Sequence, residues 1–122
     1  MASYISQLVS VTVAPKVSAE LRPRLRGLLG VIIRGYLPQI WWFSTESGHA
    51  SLVVDQEGSA QVLEGQQGRP DASITWTDQA FHLALTTQDR RQLPVETPRP
   101  RVEIYTKKGR AAYNQLRSRL GL

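Results

Sequence analysis

Few side chains in this sequence could do acid–base or metal chemistry, and they are scattered. His49 and His82 are the only histidines, and neither has a second one three or four positions away, so the two-ligand helical zinc pattern is absent. Asp55 and Glu57 flank a turn, where carboxylates commonly bind backbone N–H groups, and Asp71 precedes a strand. None of them pairs with another acid on an apolar background, the setting that raises a carboxyl pKa for proton transfer. Nucleophile-elbow, P-loop and dinucleotide glycine patterns are missing. Gly27 and Gly30 lack the preceding strand that a phosphate cradle needs, and close helix packing accounts for them. The absence of cysteine excludes disulfides and thiolate chemistry. No enzyme activity, metal or cofactor is expected from these residues, with general acid–base catalysis left possible but unsupported.

What remains is basic and aromatic. The net charge of +5 is unevenly spread: residues 1–35 carry five bases against Glu20, residues 36–89 carry Arg69 against seven acids, and residues 90–122 carry nine bases against Glu96 and Glu103. Basic ends around an acidic middle fit an anionic partner, phospholipid or nucleic acid, or a fold in which the ends pair with the middle. Tyr105 and Tyr113 interleave with bases as a single-strand binder arranges them. However, Tyr113 falls on an apolar helix face, and no recognised nucleic-acid motif appears, so nucleic acid is not the expected partner. Trp41, Trp42 and Phe43 stand consecutively, which puts large rings on both faces of one strand. In a sheet with one wet face, the N-terminal segment must cover the second face, or that face borders a cavity or a partner.

The elements that must hold these residues fit one domain, 1–122. No signal-peptide pattern opens the chain, and the run "LLGVII" is too short to span a bilayer, so a cytoplasmic protein, free or peripheral to a membrane, is expected. Residues 1–22 form an arm of open structure: Val9, Val11 and Val13 alternate as in a strand, a helix competes, and Pro15 interrupts either. A helix is expected from Pro23 to Pro38, with Leu25, Leu28, Leu29, Ile32 and Tyr36 on one face. "IWWFSTES", "HASLVVDQ" and "SAQVLEG" read as three strands of a meander. A fourth strand with Ala72, Ile74 and Trp76 runs into a helix capped by Thr77, with Ala80, Phe81, Ala84 and Leu85 on its apolar face. Residues 89–100, with three prolines, form a loop. "RVEIYTK" is a fifth strand, and Gly109 opens a last helix with Ala112, Tyr113, Leu116 and Leu120 on one face. The fold class is α+β, a five-stranded mostly antiparallel sheet covered on one face by helices.

Residues 37–120 resemble the sterol carrier protein type 2 family. The resemblance rests on the meander from Ile40 to Gly65, on Asp71, Ile74, Trp76, Thr77, Asp78, Phe81 and Leu85 in the strand-to-helix step, and on the last strand, Gly109 and closing helix. It implies an apolar tunnel between sheet and helices that holds a fatty acyl chain, phospholipid, sterol or quinone-like lipid without a catalytic centre. On that basis Trp41, Phe43, Leu52, Val54, Phe81, Leu85, Ile104, Ala112 and Leu116 are expected nearest the ligand or the closed core. Family members place an apolar turn where this chain has "TTQDRRQLPVETPRP", a segment that commonly helps form the tunnel mouth. Arg22, Arg24, Arg26 and Arg34, flanking the first helix, are the expected contacts to an anionic membrane. The competing class is a ligand-free scaffold or accessory module docked on a biosynthetic enzyme or an anionic surface. Monomer and homodimer stay open.

Overall fold

The computed structural model describes residues 2–87, 89–118 and 121. A long helix, α1 (Tyr4–Arg26), opens the chain and is followed by a short one, α2 (Gly30–Arg34). The meander β1 (Gln39–Thr45), β2 (Gly48–Val54) and β3 (Ala60–Glu64) comes next. Then come β4 (Ala72–Thr75), α3 (Asp78–Thr87), a 3-10 turn (Arg90–Gln92), β5 (Arg101–Ile104) and α4 (Lys107–Leu116). The sheet order is β3-β2-β1-β4-β5. Every neighbouring pair is antiparallel except β1 with β4, which run parallel with Trp41 beside Ala72 and Phe43 beside Ile74. The fold class read from the sequence is the one the chain adopts.

The open N-terminal segment is helix. Ile5, Val9, Val13, Val17, Leu21 and Leu25 recur every fourth residue and form a stripe laid on the sheet, and the first four of these are essentially inaccessible to solvent. Val11, counted with Val9 and Val13 as a strand alternation, is 72% exposed. Pro15 does not interrupt the helix, and Pro23 does not begin one. Both lie inside α1 on its exposed side, where the lost backbone hydrogen bond falls towards water. Ser3 caps α1, accepting from the Ser6 backbone N–H at 3.3 Å.

The helix expected from Pro23 to Pro38 is broken. Gly27 ends α1, and Gly30 then packs so tightly on the last turn that a Cβ there would lie 2.2 Å from the Leu25 carbonyl oxygen. Of the expected apolar face only Leu25 is buried; Leu28, Leu29, Ile32 and Tyr36 are exposed. At the other end β5 stops at Ile104, and α4 starts at Lys107 rather than Gly109, because Thr106 caps it by accepting from the Gly109 N–H at 3.0 Å. Leu120 and Arg119 lie outside the described residues.

Helices α1, α3 and α4 cover the face that carries Trp41 and Phe43 of β1, Leu52 and Val54 of β2, and Ile74 of β4. Phe81 of α3 meets Phe43 edge-on at a centroid distance of 5.8 Å and Trp76 at 5.6 Å. On the second face of β1 it is the loop from Gly65 to Arg69, not the N-terminal arm, that packs on the strand. The Trp42 indole N–H donates to the Gln67 carbonyl at 2.9 Å, and the buried Ser51 hydroxyl donates to the Gly65 carbonyl at 2.7 Å. No helix among the described residues is long and apolar enough to cross a membrane.

Candidate functional site: an apolar cleft between the sheet and helices α1 and α4

The cleft arises where two helices diverge over one half of the sheet. Its floor is Trp41, Leu52 and Val54, brought together because Trp41 and Leu52 are direct cross-strand partners and Val54 lies one position along the same face. One wall is the second half of the α1 stripe, Val13, Val17 and Leu21. The opposite wall is Ala111, Ala112 and Leu116 of α4. Segment 27–37 closes the end through Leu28, Leu29, Ile33, Tyr36 and Leu37. The volume of this open cleft is about 740 Å³.

Polar atoms in this space are few, and those on the floor are already engaged. The Trp41 indole N–H donates to Gln39 Oε1 at 2.7 Å, and Gln39 Nε2 donates to the Lys108 carbonyl at 3.0 Å. Lys108 Nζ donates in turn to the Pro38 carbonyl at 2.9 Å, tying the start of α4 to the start of β1. Arg24 is the one charged residue of the described lining, and it faces Glu20 at 3.6 Å across a turn of α1. Asn114, Gln115 and the Tyr36 hydroxyl complete the polar set. No carboxylate or imidazole belongs to the described lining, and the arrangement can shelter hydrocarbon and meet a polar end group.

The residues singled out in the sequence divide accordingly. Trp41, Leu52, Val54, Ala112 and Leu116 line the cleft. Phe43, Phe81 and Leu85 sit in the closed core at 0% exposure, and Ile104 is half-buried at its edge. Sequence reasoning missed the α1 wall, whose signal was the fourfold recurrence from Ile5 to Leu25, and also the amide set of Gln39, Asn114 and Gln115. None of the described lining comes from 89–100, the segment expected at the mouth. That loop is held away, with the Trp76 indole N–H donating to the Pro98 carbonyl at 2.6 Å. Segment 27–37 forms the lip instead.

The groups that might have done chemistry have structural partners. His49 Nδ1 lies 2.8 Å from the Ser44 hydroxyl, and His82 Nδ1 lies 2.6 Å from the Tyr4 hydroxyl, both at the surface. Asp55 accepts from the Glu57 and Ser59 N–H groups across its turn. Asp71 is buried: its carboxylate accepts from the Ile40 N–H at 2.9 Å and the Thr106 hydroxyl at 2.7 Å. Glu64 accepts from the Ser6 hydroxyl at 2.6 Å and the Ser3 N–H at 3.0 Å. Those hydrogen bonds hold its carboxyl below the usual carboxylate range. Ion pairs Arg24–Glu20, Arg91–Asp89 and Arg101–Glu103 each join residues no more than four positions apart.

No family model matches the sequence, and no curated protein matches it. Among solved structures, the chain is similar to the ubiquinone synthesis protein UbiJ-SCP2, at 19% identity and a TM-score of 0.44 over 85% of this chain and 89% of that one. It is similar to apo sterol carrier protein 2 from Yarrowia lipolytica, at 17% identity and a TM-score of 0.41 over 89% and 93% of the two chains. It is also similar to sterol carrier protein domain 2 of Helicoverpa armigera, at 12% identity and a TM-score of 0.46 over 88% and 87%.

Proposed function

We propose that this protein binds one long apolar molecule, a fatty acyl chain, phospholipid, sterol or quinone-like lipid, in the cleft and carries it without chemical change. The observation that supports this most directly is the cleft itself. Its volume of about 740 Å³ lies within the range of small-molecule sites, and its walls are predominantly apolar. Burial of alkyl surface at about 25 cal/mol per Å² supplies the affinity, and the engaged polar atoms of Gln39 and Trp41 lose nothing when water leaves. Arg24 and the amides near the mouth suit a polar or acidic end group. On this reading residues 1–122 act as one lipid-binding domain.

Native mass spectrometry of the purified protein, followed by organic extraction, tests the reading, together with titration of a fluorescent fatty acid. A co-purifying lipid or saturable binding is expected. Ala112→Trp, which fills the cleft from a half-buried helix position, should lower affinity on the order of tenfold or more while the far-UV spectrum stays native. Saturable binding that ignores Ala112→Trp would place the ligand elsewhere. Recovery always without lipid, and no binding, would favour the ligand-free scaffold.

A further inference from the structure

We propose that segment 27–36 is a docking lip that sets its apolar side chains into the interface of an anionic bilayer, so that the mouth of the cleft opens against lipid. The inference rests on the carrier reading for its purpose, but its geometry is independent. Leu28 is 103% exposed, Val31 80%, Leu29 63% and Ile32 62%. The inward side of α2 is already taken by Gly30, pressed on the Leu25 carbonyl, and by Ile33, packed on the core, so Val31 and Ile32 are left facing out. Leu28 and Leu29 line the cleft, so the exposed patch and the mouth are continuous.

Charge identifies the occupant. Arg24, Arg26 and Arg34 bracket the patch, and the sequence holds no acid between Glu20 and Glu46. Across the mouth, α4 presents Lys107, Arg110 and Arg117 at helical spacing on its exposed side, beside the lining residues Ala111 and Asn114. An apolar patch with bases on both sides matches acyl chains beneath anionic headgroups. A second copy fits poorly, since a twofold contact would set each basic rim against itself.

The test is co-sedimentation of the full chain with phosphatidylcholine vesicles, with and without phosphatidylglycerol. Binding is expected only with the anionic lipid and should weaken as salt rises. The exposed pair Val31→Asp with Ile32→Asp should lower the partition coefficient on the order of tenfold or more. Arg26→Gln with Arg34→Gln should lower it comparably at low salt and flatten the salt dependence. Neither Val31 nor Ile32 lines the cleft, so the first pair should still take up cis-parinaric acid in vesicle-free solution and melt as the parent does. Vesicle binding by a protein that takes up no cis-parinaric acid would retain the lip and remove the carrier reading. Equal, negligible sedimentation with both vesicle types would overturn the lip. So would a dimer abolished by Val31→Asp with Ile32→Asp in a protein that ignores vesicles.

Discussion

Asp71 joins three elements through one carboxylate and its own backbone. It accepts from β1 at Ile40 and from the cap of α4 at Thr106, while its carbonyl accepts from Tyr105 at 2.9 Å. Gly109 is pressed on that same carbonyl, where a Cβ would lie 2.1 Å from the oxygen. Asp71→Ala should therefore cost about 1–3 kcal/mol in chemical denaturation, since it leaves the part-buried Ile40 N–H and Thr106 hydroxyl without their acceptor. Gly109→Ala should also destabilise, because the clash is with backbone and can be relieved only by displacing α4. Glu64 calls for a pH experiment. Its carboxyl is held below its unfolded value, so its contribution is present above the unfolded carboxylate pKa and lost as pH falls through the lower folded value. Amide protection in the first turn of α1 should fall on acidification below about pH 4, and Glu64→Gln should remove that dependence. Asp71 and Gly109 were visible in the sequence as parts of a resemblance. That they touch was not, because nothing local in residues 71 and 109 encodes a contact across strands.

Among the elements, the strands and α3 were the most legible, since their alternation and the Thr77 cap are local signals. The structure repeats that cap, with the Ala80 N–H donating to Thr77 at 3.0 Å. α1 was ambiguous for a physical reason. It is rich in β-branched residues and holds two prolines, so intrinsic propensity opposes a helix that its buried stripe then stabilises. Pro15 is exposed, so replacing it removes no packing. Pro15→Ala should restore a bond to the Val11 carbonyl and raise stability by about 1–3 kcal/mol, read from the denaturation midpoint. Segment 27–37 was misread because its apolar spacing satisfies a helix while its glycines do not, and here the glycines decided the path. The cleft walls from α1 and from this segment were lost with those two readings, whereas the floor from β1 and β2 was not.

At the scale of the whole molecule, ligand and fold should be linked. If the cleft binds a chain, the free energy of unfolding must rise with ligand by mass action, by about 2.7 kcal/mol at one hundred times the dissociation constant. Ala112→Trp should lose that increment, and a melt with and without fatty acid reads it directly.

The parallel pairing of β1 with β4 divides the molecule in time as well as in space. α1 packs on β1, β2 and β3, and everything in that group lies before residue 65. The strand that completes the centre arrives only after the chain has passed the loop that ends at Asp71, and residues 41 and 72 must then find one another. Loop closure of that length is slow compared with a hairpin turn. During synthesis the leading half can thus pair its meander under α1 before the trailing half exists, while Phe43 and the open edge of β1 wait for α3 and β4.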